Sequence, residues 1–302
     1  MSSGTRRRRR PATNLVVGGL IVIGIVVAAL VSFVWTPHDP TLVDVPNRLK
    51  GPLSGGNVLG TDQFGRDILS QLMVGARTVL FVGILAVGMA VVVGVPLGAV
   101  AAVRGGWIEE AVLRFSDVMY AFPAILMAIL LTAALGPSTT AAMIAIGIAY
   151  IPVVARVTRG SALGVLQRDF ISAAYSYGRS RTYVFVRHVI PNISSVLIVQ
   201  ATVMFALAIL AEAALSYLGL GTQPPTPSWG RSLSEAQTFF RLQPNLALWP
   251  GVAIAVSVMG FNLLGDGLRD HLDPRLRVPT GVAEGDNPPD DPLSFEPVEV
   301  QA

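Results

Sequence analysis

Asp169-Phe-Ile-Ser-Ala-Ala-Tyr-Ser-Tyr-Gly178-Arg-Ser-Arg-Thr-Tyr-Val-Phe-Val-Arg187-His188-Val-Ile-Pro191 is a polar, arginine-rich insert between two long apolar runs. Its first half, 169–177, has no proline or glycine and contains Ala173 and Ala174, so a short helix is predicted there. Gly178 ends or bends that helix. A second short helix is expected over 182–189, stopped before Pro191. Phe170, Ala174 and Tyr177 fall on one stripe at helical spacings of four and three. Two readings of this stripe stand side by side: a helix that inserts into a groove on a partner protein, or one that rests on a lipid surface.

The rest of the chain is built around such apolar runs. Of 302 residues, 52% are hydrophobic and 14% charged, and the mean hydropathy is +0.59. Soluble domains carry about 25% charged residues, so this is the composition of a membrane protein. Crossing ~30 Å of hydrocarbon takes roughly 20 helical residues. On that ruler six spans are predicted, over 15–35, 78–103, 118–135, 140–157, 193–216 and 246–264. The fold class is therefore an all-α membrane protein with six transmembrane helices. Gly136-Pro-Ser138 is a tight turn that makes the third and fourth spans an antiparallel pair.

Arginine placement orients the spans. With both ends cytoplasmic, the inside segments hold sixteen of the 22 Lys and Arg residues, including Arg6 to Arg10 and all those between Arg156 and Arg187. That bias follows the positive-inside rule and requires an even number of crossings. The first span has an apolar run of ~20 residues, longer than the 7–15 of a signal peptide, and reads as uncleaved. The excess of positive charge flanks apolar runs, so no nucleic-acid partner is expected; membrane lipid is.

Between the first two spans lies a proline-rich outer segment, and the stripe Ile68, Leu69, Leu72 and Met73 at its end suits either a helix along the outer membrane surface or packing against neighbouring spans. The three prolines of Pro224-Pro-Thr-Pro227 exclude a continuous helix in the second outer segment. Trp229 and Trp249 are candidates for the interface level. Gly94 and Gly98 form a Gly-x-x-x-Gly pair that lets backbones approach closely. Pro123 and Pro152 should bend the third and fourth spans. The last 25 residues, 278–302, carry six acidic residues and no basic one and are expected to be a disordered cytoplasmic tail.

Catalytic chemistry has little support. There are no cysteines, the three histidines are scattered, and no phosphate-cradling Gly-x-x-x-x-Gly-Lys-Ser/Thr is present. No catalytic, cofactor or metal residue is assigned, and the chain is not expected to be an enzyme by itself. Within the spans Glu212 is the one carboxylate, near the outer end of the fifth. It is either part of an outer gate with Gly219 and Gly221, or a carboxylate satisfied by the backbone amides of that glycine turn; the second is preferred. The missing proton relay weakens a proton-coupled carrier. A secondary carrier or channel, and a membrane anchor whose loop only binds a partner, remain as competing functions.

Ala173-Ala-x-x-x-Gly178 followed by nine residues and His188-x-Ile190-Pro191 resembles the "EAA" loop of ABC importer permeases, the coupling helix that docks on the ATPase. The motif's glutamate is Ser172 here, which removes any role for a carboxylate at that position. Asp169, Phe170, Tyr177 and Arg187 complete the candidate coupling set. Gly60-Thr-Asp-Gln-Phe-Gly-Arg-Asp67, Glu212-Ala-Ala-Leu-Ser-Tyr-Leu-Gly-Leu-Gly221 and Phe261-Asn-Leu-Leu-Gly-Asp-Gly-Leu-Arg-Asp270 resemble further motifs of the dipeptide/oligopeptide branch, some of whose members move nickel or haem compounds. The resemblance covers about residues 10 to 277. It implies a type I ABC importer permease fold, of the "C" subunit kind, in a bacterial inner membrane. Its domains would be a basic N-terminus (1–13), a first span with outer segment (14–76), a permease domain (77–277, coupling loop 158–192) and the tail (278–302). Implied partners are a homologous "B" permease, two ATPase subunits or one fused two-domain ATPase, and an external solute-binding protein. No cofactor would be bound by this chain, ATP and Mg belonging to the ATPases. Transport would proceed by alternating access.

Overall fold

The computed structural model describes residues 11–272; the basic N-terminus and the acidic tail lie outside the described residues, together with Arg275 and Arg277. Ten α-helices make up the described chain. They are α1 (Pro11–Val31), α2 (Ile68–Arg104), α3 (Gly106–Tyr120), α4 (Ala124–Leu135), α5 (Thr139–Leu166), α6 (Asp169–Ser176), α7 (Arg181–Val184), α8 (Ile190–Tyr217), α9 (Trp229–Ala236) and α10 (Asn245–Leu272). Five helical stretches are long and apolar enough to cross a membrane, and the bent pair α3–α4 brings them to six when it is counted as one broken span. The expected all-α membrane architecture is borne out, with six spans where α3 and α4 form one.

The second span differs from expectation. No separate helix lies along the membrane surface: α2 runs unbroken for 37 residues from Ile68, and the stripe of Ile68 and Leu72 packs against α9, α10 and their connection. Asp67 starts it by accepting the Ser70 amide, 2.8 Å away, as N-cap aspartates do. Such a stripe is the same in sequence whether it faces lipid or protein. Trp229 is likewise no interface marker, since it is 4% exposed and donates its indole N–H to the Leu72 carbonyl at 2.9 Å.

Pro123 breaks the third span instead of bending it. Lacking an N–H and forcing an extended residue before it, proline ends one helix and opens the next. α3 and α4 consequently meet at 83°. At 12 residues, α4 is only about 18 Å long, too short to cross hydrocarbon alone. Pro152, by contrast, sits within an unbroken α5.

The bundle's tightest contact is α2 on α5. A methyl group on Gly94 would stand 2.6 Å from Val154 Cβ, and one on Gly98 would strike the Ala155 carbonyl. The Gly-x-x-x-Gly pair is therefore spent inside the chain, where close backbone approach supplies the dispersion contacts that lipid cannot. α1 packs mainly along α10, and α8 lies between α10 and α5.

Pro191 does not stop a helix. The chain is helical from Arg181 to Tyr217, with a π-helical turn over Phe185–Val189 that joins α7 to α8. The wider turn lets the Ile190 amide reach the Phe185 carbonyl, and the Asn192 side-chain amide covers the His188 carbonyl at 2.7 Å. The helix thus passes through the proline by way of a π-helical turn.

Candidate functional site

The insert that opens the chain's reading folds as a knob at one end of the bundle. α6 spans Asp169–Ser176, with Asp169 in its first turn, where a carboxylate favours the helix dipole. Ile171 is its anchor: 1% exposed, it sits in a cluster with Ala99 and Ala102 of α2, Ala162 and Val165 of α5, and Val184 and Phe185. Ala174 packs at the edge of that cluster. Burying one such isoleucine stabilises by about 2–3 kcal/mol, enough to hold an eight-residue helix that would not persist alone.

Gly178 closes the knob. It takes φ +72°, its amide donates to the Tyr175 carbonyl at 2.9 Å, and the Arg179 amide reaches the Ala174 carbonyl at 3.2 Å. The Ser180 hydroxyl then caps α7 by accepting the Tyr183 amide. His188 lies between Phe170 and Tyr183, edge-on to both, with ring centroids 6.2 and 6.0 Å apart. Arg179 stacks over Tyr183 at 4.8 Å. Through that imidazole the start of α6 is stapled to the π-helical turn. The structure thus brings Phe170, His188 and the Gly178 turn together.

What the knob leaves outside is equally defined. Tyr177 is 86% exposed, and Phe170, Ser172, Ala173, Tyr175 and Arg187 also face outward. Of the predicted stripe, Ala174 turns inward while Phe170 and Tyr177 remain free for a partner. Pro191 is exposed in the first turn of α8.

Sequence reasoning treated nearby arginines only as topology signals, yet several tie helices together. Arg159 of α5 donates Nε to Glu109 of α3 at 2.6 Å, and Arg156 pairs with Asp117 at 2.6 Å while stacking on Tyr120. Arg181 reaches the Val103 carbonyl at the C-terminal end of α2. These pairs link residues 39, 50 and 78 positions apart, a separation that no local pattern discloses.

At the opposite end Glu212 is fully buried. Its Oε1 accepts the hydroxyls of Ser216 at 2.7 Å, Ser228 at 2.9 Å and Thr222 at 3.3 Å. The expectation that backbone amides satisfy it is corrected. The Gly219, Leu220 and Gly221 amides are consumed by the last carbonyls of α8, Ser216 and Leu215, as at many helix C-termini. Gly219 makes the turn at φ +79°, and Gly221 packs directly on Ser216. The carboxylate is a hub holding the 217–228 segment down on α8. Only Ser216, four residues on along the same helix, was visible as a partner in the sequence.

A second polar knot binds the segment 62–71 to α9. Asp62 accepts the amides of Phe64 and Arg66, the Arg66 Nε at 2.6 Å and the Gln71 side chain at 2.7 Å. Arg66 continues to Glu235 at 3.0 Å, which Gln63 and Arg231 also reach. Asp62→Ala is expected to leave those donors unpaired at a cost of about 2–4 kcal/mol. Hydrogen exchange should then accelerate at the Phe64 and Arg66 amides while α5 stays protected; unchanged exchange would show that the knot holds nothing.

Comparison with known proteins agrees with these features. Residues 94–278 match the family described as binding-protein-dependent transport system inner membrane component. The chain is 41% identical over 262 residues to the dipeptide transport system permease protein of Alkalihalophilus pseudofirmus, covering 87% of this chain and 86% of that one. It is 41% identical over 273 residues to the glutathione transport system permease protein of Salmonella paratyphi A, covering 90% and 89%. The corresponding glutathione permease of Escherichia coli is 40% identical over the same length.

Proposed function

We infer the function of this chain from one premise: it belongs to the family of binding-protein-dependent transport system inner membrane components. It is a multi-pass inner membrane permease subunit, and an external binding protein and an ATPase are the partners such a system requires. The relatives' names point to peptides, a dipeptide in one case and glutathione in the others. The reading is a permease of an ATP-driven peptide importer, with the α6 knob in the cytosol as the contact for the ATPase. A homologous second permease completes the passage, and transport runs by alternating access between two arrangements of the spans. ATP with its Mg is bound by the ATPase, and this chain supplies no catalytic group.

The observation that carries the reading is the knob itself. Ile171 ties α6 into the apolar cluster to which α2 and α5 contribute, and its outer surface holds aromatic groups beside Arg168, Arg179 and Arg187. A push on that surface is passed to two long helices at once, so a partner that binds one arrangement better than the other shifts the equilibrium of the spans.

Co-expression with the neighbouring permease and ATPase genes, purification and reconstitution with the binding protein test this. Peptide uptake that depends on ATP and on the binding protein is expected. Uptake that persists with a hydrolysis-dead ATPase would identify a secondary carrier or channel, and a chain that purifies without an ATPase would be an anchor.

A further inference from the structure

α3 divides its surface into three sectors. Trp107, Ala111, Phe115, Val118 and, just past the helix end, Phe122 recur at spacings of four, four, three and four, one stripe of a helix. Trp107 is 78% exposed, and Phe115, Val118 and Phe122 are each more than half exposed. A second sector holds Ser116, which is buried, and Glu109 and Asp117, which pair with Arg159 and Arg156 of α5. The third is polar, with Glu110 and Arg114 bridged to each other at 3.5 Å in the open. Depth and tilt follow from the two pairs with α5. Arg156 and Arg159 lie 17 and 20 residues along α5 from Thr139, about 26 and 30 Å, so they sit one hydrocarbon thickness from the far end. Glu109 and Asp117 are eight residues apart on α3, about 12 Å, while their partners are three apart on α5, about 4.5 Å. α3 therefore crosses α5 steeply, and it meets α4 at 83°. The 12 residues of α4 rise about 18 Å and the link 121–123 adds up to about 10 Å, which completes the crossing without α3.

We propose that α3 is an in-plane helix docked on the lipid surface at the knob end of the bundle. Its Trp107–Phe122 stripe is immersed among acyl chains, and its Glu110–Arg114 sector lies in the hydrated headgroup layer. A helix in that position meets protein, hydrocarbon and water at once, and α3 presents one sector to each. The stripe runs on into Ile125, Leu126 and Leu130 of α4, exposed apolar residues of the crossing itself, so one lipid surface covers both. A tryptophan at its end suits that level. Glu109, Glu110 and Asp117 are all paired within the chain. Apolar burial, and not attraction to anionic headgroups, therefore holds the helix down. The assignment is independent of the solute.

The absence of cysteine in the chain makes the test direct. In the complete importer in phosphatidylcholine vesicles, with any cysteines of the partners replaced, Phe115→Cys, Val118→Cys and Glu110→Cys each receive a nitroxide spin label. At 115 and 118 collisions with oxygen should exceed those with a water-soluble nickel chelate, at a depth of about 5–10 Å. At 110 the order should invert. Labels at 115 and 118 shielded from both reagents would place a second protein on the stripe, and nickel access there would make it an aqueous face; either result overturns the proposal. Adding anionic lipid should leave the depth unchanged, and immersion that appears only with anionic lipid overturns the apolar drive. A second measurement needs no thiol: lipid brominated on its acyl chains should quench more tryptophan emission in the wild-type importer than in Trp107→Phe. Equal quenching overturns the immersion of Trp107. All of these are read without any transport, so failure of the importer to move peptide would count against the function proposed above and not against this surface.

Discussion

Gly178→Pro is expected to reduce uptake to background while the chain still inserts and folds. The residue sits at φ +72°, whereas proline is held near −65°, so the turn cannot be kept. The substitution also deletes the amide that donates to Tyr175 and displaces the Arg179 amide from Ala174. α6 would then lose its C-terminal closure, and with it the registration of Ile171 in the cluster formed by α2 and α5. The spans themselves are untouched, because the turn lies outside the bundle. Gly178→Asn is the matched control: asparagine tolerates the left-handed region, and no atom lies within 4 Å of the added Cβ. Ala174→Glu should behave like proline, since it drives a carboxylate toward the Ile171 cluster. Uptake and ATP hydrolysis in proteoliposomes, with copurification of the ATPase, measure all three. Normal uptake in the proline variant would remove the knob from the mechanism.

Much of this molecule was legible because membranes make few demands and make them strictly. Apolar length gave the spans, Asp169 and Gly178 marked the limits of α6, and Gly94 and Gly98 marked a close helix contact. What failed to show in sequence depended on partners far along the chain. The Ile68–Met73 stripe carries no sign that Trp229 will cover it, 157 residues beyond Leu72. Pro123 announced a disturbance but not the 83° corner, beyond which α3 is tied to α5 through Glu109 and Asp117. Pro191 read as a stop because the usual helix has no way to lose a donor there; a π-helical turn provides one. In the Glu212 hub the sequence revealed the carboxylate but mistook its donors, since backbone amides near it were already committed.

Glu212→Ala should be the most damaging change at the other end of the bundle, and its contrast with Glu212→Gln shows what the carboxylate does. Alanine strands the hydroxyls of Ser216, Thr222 and Ser228 in a site closed to solvent, and opens a cavity the size of the lost side chain. Together these cost about 3–5 kcal/mol, comparable with other buried deletions. The 217–228 segment would detach first, because the hub ties it to α8, and Trp229 would follow from its seat on α2. Glutamine keeps the volume and an acceptor oxygen for the three hydroxyls. It places an amide where Oε2 has no partner, so an intermediate loss of about 1–2 kcal/mol is expected. Hydrogen exchange across 218–229 and thermal unfolding of the purified complex should both rank wild type above glutamine above alanine. If alanine leaves stability and exchange unchanged yet abolishes uptake, Glu212 contacts the solute or a gate and is no structural tie. If glutamine proves as damaging as alanine, the negative charge is required, and three hydroxyl donors on one oxygen do not suffice to explain its burial.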